Sequence, residues 1–300
     1  MNLGPVEPEP GEAGIVEDLL GVDPRVPVGQ HAAAGAHGEG PFDAGETILH
    51  HITDSQVLEL PGVEIHLPTL HLGPLELPIT KHVVMMWVAG AVLFLLLWFA
   101  NRRRRLVPRG IQNLMEMCIV FVRDELARKS IGRHPDRFVP YLLSTFVFIL
   151  TCNLLGLIPY GATATGNIGV TAGLAGVAFL VIQAAGVREY GLVGHFKNLV
   201  PHGMPVWLLP IMIPVEFLGM FAKPFALCVR LFANMTGGHV VILSLISLVF
   251  ILERAWVGAA LSVPFALFIS GIELLVAFLQ AYIFTMLTAL FIGMSVHPQH

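Results

Sequence analysis

The sequence predicts an all-α polytopic membrane protein. About five membrane-crossing helices and one amphipathic surface helix are expected, with the last two crossing helices long and steeply tilted as a hairpin. Three observations carry this. First, 55% of the 300 residues are apolar, mean hydropathy is +0.74, and only 13% are charged, against roughly a quarter in soluble domains. Second, the charges are segregated. Residues 1–82 hold 13 acids and two bases (Arg25 and Lys81), residues 101–137 ten bases and four acids, and residues 138–300 only nine charges in 163 positions. Third, the charge-poor part is built from apolar runs of membrane-spanning length, and so few charges cannot clothe a water-soluble surface. The same balance excludes a disordered or collagen-like chain. With no basic excess, a nucleic-acid partner is excluded as well.

Residues 1–82 read as an acidic, His-containing extracytoplasmic tail. Its opening, MNLGPVEPEPGEAGIVEDLL, has no basic stretch followed by an apolar one. No cleavable signal peptide is expected, so the first span serves as the insertion signal. The segment Val57–Leu67 (VLELPGVEIHL) alternates around Pro61-Gly62 and reads as a small hairpin. The tail histidines, among them His31, His37, His50, His51, His66 and His71, are read as solvated rather than as a metal site.

Residues 83–300 form the membrane domain. Val83–Ala100 is 18 uncharged residues running into Asn101 and Arg102–Arg105. Four arginines at one end and an acidic tail at the other place the tail outside and the arginines in the cytoplasm. Gly110–Ile131 has helical apolar spacing, but it also carries Glu116, Arg123, Asp124, Glu125, Arg128 and Lys129. It is expected as an amphipathic helix (110–131) on the cytoplasmic surface. Phe138–Val187 has no Asp, Glu, Lys or Arg, and Pro159 with GATATGN splits it into spans at 138–158 and 168–187. Arg188 and Lys197 mark the return to the cytoplasm. The runs 206–252 and 255–296 are separated only by Glu253-Arg254. Each would be on the order of 60–70 Å long, about twice the bilayer core. Two helices apiece is one solution. One long tilted helix apiece, distorted around Pro214, Pro224, Gly237-Gly238, Pro264 or Gly271, is the better one, because neither run holds a polar turn. The C-terminus then lies in the cytoplasm.

Charges at lipid depth cost several kcal/mol unless paired or hydrated, so those present are the functional candidates. They are Glu216, Lys223 and Arg230 in the first long run and Glu273 in the second, with His239 and Gln280 as polar companions. Glu216, Lys223 and Arg230 are seven apart and share a helix face with slow drift. Asn234 is one turn beyond Arg230 on that face. His239 is nine residues past Arg230 and points about half a revolution away. Glu273 and Gln280 are again seven apart. A purely structural reading pairs Arg230 with Glu273, or Lys223 with Glu216, and lets Lys223 snorkel to the headgroups. The functional reading sets titratable Glu216, Glu273 and His239 beside an arginine that keeps its proton. Such an arginine stabilises an arriving carboxylate and repels a passing proton, which suits an ion gate.

Enzymatic signatures are missing: there is no HExxH, GxSxG, GxxxxGK[ST] or paired CxxC. Ser270-Gly271 reads as packing rather than as a nucleophile. Cys118, Cys152 and Cys228 sit in apolar segments and read as buried small hydrophobes. A non-catalytic chain with no cofactor and no metal is expected. A stand-alone proton/cation antiporter is the alternative, although it should show inverted repeats and the sequence has no internal repeat. A membrane scaffold leaves the arginine and titratable groups unexplained.

KPFALCVRLFANMTGGH (Lys223–His239) resembles the signature of the a subunits of F-type ATP synthases, in which an R-L-F-x-N-M run surrounds an essential arginine. ELLVAFLQAYIF (Glu273–Phe284) resembles that family's last-helix motif, and Asn153 with Leu157-Ile158-Pro159 resembles the end of an earlier helix. The resemblance covers about 83–296 and leaves out the tail. It implies a stator in a bacterial inner membrane, set against a rotating ring of c subunits and held by peripheral-stalk b subunits. Such a stator offers two proton half-channels and couples their flux to ATP synthesis. It further implies that Arg230 is the gate facing the ring carboxylate and that Asn234 and Gln280 are its polar neighbours. Glu216 would line a half-channel, and His239 with Glu273 would form a relay pair, which members carry as Glu and His in either order. Proton and sodium both stay open as coupling ion, since the ring's own site lies outside this chain.

Overall fold

The computed structural model describes residues 57–60, 63–67, 69–72, 75–78, 80–102, 110–132, 135–158, 163–197, 206–251 and 255–297. The tail before residue 57, the Pro61-Gly62 pair, the arginines at 103–105, Pro159 and Glu253-Arg254 lie outside the described residues.

Ahead of the helices are two hairpins where the sequence reading named one. β1 (Val57–Leu60) pairs antiparallel with β2 (Val63–His66), with Val57 opposite His66. β3 (Thr69–Leu72) pairs with β4 (Leu75–Pro78), with Thr69 opposite Pro78. The second has the same cause as the first: apolar alternation on both sides of a Gly/Pro pair, here Gly73-Pro74.

The described residues after 80 form helices and the turns beside them, with seven α-helices among them: α1 (Lys81–Arg102), α2 (Ile111–Val120), α3 (Arg128–Ile131), α4 (Val139–Gly156), α5 (Ile168–Lys197), α6 (Leu209–Ile251) and α7 (Ala255–Val296). Five of them, α1 and α4–α7, are long and apolar enough to cross a membrane. The protein is an all-α polytopic membrane protein. In lipid every backbone polar group must be satisfied within the segment, and continuous helices do this. Several hydroxyls comply too. Thr151, Ser244, Ser270 and Thr288 each donate to the carbonyl four residues earlier, at 2.7–2.9 Å. Ser270 is thereby occupied with packing its own helix, as its place in an apolar run suggested.

α1 touches the bundle along a narrow line. Ala89 is buried with Cys152 and Ala164, while Trp87, Phe94, Leu95, Trp98 and Phe99 are exposed. An apolar outer face of this kind is what a lipid-facing helix presents.

The amphipathic stretch departs from the expected single surface helix. Between α2 and α3, residues Phe121–Ala127 form a π-helical turn, whose wider i→i+5 spacing resets the phase of the apolar face. α2 buries no residue, but Val122, Leu126, Ala127 and Ile131 are fully buried in the main core. The far end therefore docks on the bundle instead of only lying on a surface. Gly293 of α7 permits the approach: a Cβ there would lie 3.2 Å from Ile131 Cα and overlap the carbonyl of Ser130. The polar side carries ion pairs. Asp124 accepts from Arg123 at 3.0 Å and from Arg128 at 2.7 Å, and Lys129 pairs with Glu125 one turn back. The hydrogen bond from Arg123 holds the Asp124 carboxyl below its usual range.

α5 runs ten residues past its expected end at 187, through Arg188 and Glu189, with a break in helical geometry at Gly191 (φ 72°, ψ 168°). Charge ends a membrane span without ending a helix. The extension is tied down: Tyr190 Oη donates to the Val296 carbonyl at 2.8 Å, Ser295 Oγ to that of Ile182 at 3.0 Å, and His195 Nε2 to Gln183 Oε1 at 2.7 Å. Cys152 and Cys228 are buried and Cys118 is half-buried; all three are free thiols. Half-burial of Cys118 corrects the expectation for that one, since it lies on the segment that buries nothing.

α6 and α7, of 43 and 42 residues, continue unbroken through Pro214, Pro224 and Pro264. They pack along one another, and α7 also lies against α4 and α5. The core at their junction includes Leu142, Phe146, Leu227, Leu231, Phe284 and Ile292.

Candidate functional site: a polar cavity and an exposed arginine on one helix pair

Asn234, Met235, Gly237, Gly238 and His239 of α6 and Ile272, Glu273, Val276 and Ala277 of α7 line a cavity of about 260 Å³, closed on one side by Asn153 and Leu157. Glu273 points at Gly238: a Cβ at 238 would lie 3.0 Å from the carboxyl carbon and overlap Oε1. Both carboxyl oxygens are enclosed and make no hydrogen bond among the described residues. A buried carboxylate without donors is costly, which marks Glu273 as a functional candidate. His239 is half-buried, and its Nε2 is hydrogen-bonded to the hydroxyl of Thr163. The cavity therefore sets one imidazole and one carboxyl on facing helices.

Asn234 connects this cavity to the outer surface of α6. Its Nδ2 donates to Oε1 of Gln280, which is almost fully buried, at 2.8 Å. One turn earlier, Arg230 is exposed in a stripe of mostly small side chains: Ala226, Val229, Ala233 and Gly237. Its guanidinium makes no ion pair and no hydrogen bond among the described residues. The structural pairing of Arg230 with Glu273 is not formed, because Glu273 turns into the cavity and Arg230 out of the bundle. Lys223 does not pair with Glu216 either. Instead of snorkelling to headgroups it lies half-buried with Nζ 5.4 Å from the Phe291 ring centroid, a cation–π contact with α7. Glu216 is half-exposed and outside the cavity, 14 residues or about 21 Å along the helix from Arg230.

The structure thus gathers four of the six sequence-named residues (Asn234, His239, Glu273 and Gln280), places Arg230 on the outer surface one turn from Asn234 and leaves Glu216 apart. It adds residues not singled out as site groups. Asn153 is 1% exposed, and its Nδ2 donates to the Ala277 carbonyl at 3.2 Å. A strongly polar residue in an uncharged run was a readable signal for it. Thr163 and Thr165 carried none, since threonines are ordinary in such a loop. Among the described residues no cluster of three or more His, Cys, Asp or Glu could hold a metal ion.

Residues 83–293 match the family model described as ATP synthase A chain. Among curated relatives, an ATP synthase subunit a of Chlorobium phaeobacteroides is 45% identical over 100% of this chain and 90% of its own length. The ATP synthase subunit a 2 of Prosthecochloris aestuarii is 49% identical over 90% and 86%. The ATP synthase subunit a of Anaeromyxobacter sp. is 47% identical over 90% and 75%. This chain belongs to the ATP synthase A chain family. Membership covers both long helices and the whole cavity, and it does not favour a stand-alone antiporter.

Proposed function

We propose that this chain is the stator subunit of a proton-translocating F-type ATP synthase, offering two offset half-channels to a ring of c subunits. The observation that carries the reading is Arg230, a permanent cation in the apolar run of α6, exposed on a stripe of mostly small side chains and unpartnered among the described residues. Such a charge is tolerated where an anion on another subunit meets it, and small neighbours let that subunit come close.

The chemistry follows from the two surroundings. A proton from outside passes His239 and Glu273 and neutralises a ring carboxylate, which can then face lipid, and the ring turns. On the far side the carboxyl meets Arg230, whose charge favours the anion, and loses its proton into the second half-channel lined by Glu216. Arg230 cannot release its own proton, so it separates the two paths instead of joining them. Asn234 and Gln280 are polar neighbours that line the approach without adding charge. The chain performs no bond chemistry itself, peripheral-stalk b subunits hold it against the ring, and the soluble ATPase does the catalysis. The reading further places the chain in a bacterial inner membrane, with the tail outside and the C-terminus in the cytoplasm, as the flanking charges of α1 suggest.

Gentle extraction from the native membrane, followed by mass identification of what stays bound, tests this. A small, very hydrophobic subunit in many copies together with a soluble ATPase is the expected result. A chain recovered alone or as a homo-oligomer with no ring would overturn it.

A further inference from the structure

The short turn between α4 and α5 (Ala164–Gly166, with Thr163 ahead of it) is bound directly to α4 and α6 and, through Asn153, to α7. Thr165 Oγ1 donates to Asn153 Oδ1 of α4 at 2.7 Å, and Asn153 in turn reaches the carbonyl of Ala277, one turn past Glu273 on α7. Thr236 of α6 donates to the Gly166 carbonyl at 3.5 Å. Thr163 reaches a titratable side chain, through its hydrogen bond to His239 Nε2. Its position is also sterically set. Gly156 ends α4 directly beneath it, and a Cβ at 156 would lie 2.7 Å from both Cβ and Cγ2 of Thr163, inside van der Waals contact. Thr163 is 4% exposed, so the bond is shielded from water.

We propose that Thr163, seated in the slot left by Gly156, is a positioning residue that holds the His239 imidazole by Nε2 while its other ring nitrogen exchanges protons. This rests on the reading of His239 as a proton-transfer group. A hydroxyl is suited to the task because its oxygen accepts from Nε2–H whether the ring is neutral or an imidazolium. With Nε2 protonated in both states, Nδ1 is the nitrogen that gains and loses the proton. The bond is therefore kept as the proton comes and goes, and Nε2–H never stands unsatisfied at lipid depth, which would trap the ring in one state or swing it away. Valine fills the same volume and offers no acceptor.

The test uses the whole ATP synthase in inverted membrane vesicles, with assembly and ATP hydrolysis as controls. Proton transfer by a positioned side chain is worth about 10²–10⁴ in rate, so losing the positioning should cost on the order of tenfold. Thr163→Val is expected to lower ATP-driven proton uptake by that factor in a fully assembled complex. Thr163→Ser should return uptake to within about twofold of the unaltered protein, and Gly156→Ala should behave like Thr163→Val. Nitrogen resonances of ¹⁵N-histidine in the reconstituted complex supply the second readout, with the His239 signal assigned by its loss in His239→Gln. That signal should move in Thr163→Val, return in Thr163→Ser and stay in place in Thr165→Val, which loosens the same turn without touching the ring. Unchanged uptake in Thr163→Val, a loss with an unmoved His239 signal, or an equal shift in Thr165→Val would each overturn the proposal. If Thr163→Val does not assemble, Thr163→Ala under the same two readouts decides. Failure of the stator reading looks different: it would appear as uptake in Arg230→Ala equal to that of the unaltered protein, whatever Thr163 does.

Discussion

Arg230 and His239 stand nine residues and half a revolution apart on α6, in opposite surroundings. Arg230 projects from an exposed stripe with no partner among the described residues. His239 is held by Thr163 and lines a cavity shared with Glu273. One helix thus presents a fixed charge outward and a titratable group inward. The difference teaches a division of labour. A charge kept for a partner must be left unsatisfied at home, whereas a group that passes protons needs its orientation fixed and its exchange surface enclosed. Asn234, bonded to Gln280 at 2.8 Å, is the residue on both faces, and it lets the two environments meet without a second charge.

Substitutions probe this contrast with graded severity. The largest effect is expected outside, at Arg230→Ala: coupled proton uptake in inverted vesicles falls at least about a hundredfold, because no other group supplies a permanent cation there. The protein itself should assemble normally, since the side chain makes no bond to the other described residues. Uptake retained in that variant would erase the distinction between the two faces. Next comes the cavity, where Glu273→Gln keeps the shape and removes the proton carrier. Uptake is expected to fall on the order of tenfold to a hundredfold. Thermal stability of the extracted complex should be unchanged or slightly raised, because an amide replaces a carboxyl whose oxygens have no donor. A clear drop in melting temperature would mean that the carboxyl is structural. The smallest effect lies at the polar edge of the π-helical turn, far from either face. The Asp124 carboxyl is held below its ordinary value by Arg123, so its contribution to stability is present at neutral pH. That contribution is lost only as pH drops below about 4 and through the lowered value. Asp124→Asn should leave uptake unaltered at pH 7 and slightly flatten the acid limb of a stability-versus-pH curve. A change in neutral-pH uptake would show that this edge is coupled to the cavity.

Much of the membrane domain was legible in the chain because lipid imposes simple rules on sequence. Runs without charge had to be helices, and their ends had to fall near Arg102, Arg188 and the acid–base pair after residue 252. The long α6 and α7 could be read as single helices because neither run contains a polar turn. Helix phase separated His239 from Arg230 and placed Asn234 beside it. Other features were not legible. The phase reset at Phe121–Ala127, which docks Val122 and Ile131 in the core, depends on what α4 and α7 offer as a docking surface. The continuation of α5 past Arg188 depends on carbonyls at the end of α7. The slot at Gly238 that receives Glu273 and the one at Gly156 that seats Thr163 involve residues 35 and seven positions away in sequence, and only packing brings them into contact.

By itself, then, the sequence determined the number of crossing helices, the lipid-depth residues that carry charge and the family motif around Arg230, because helical periodicity and the cost of charge in hydrocarbon act locally along the chain. Tertiary structure alone decided which of those charges are paired. Arg230 could have met Glu273, and spacing allowed it. Rotation of α7 against α6 turned the carboxyl toward Gly238 and left the arginine facing outward, because pairing depends on how two helices pack and no single helix encodes that.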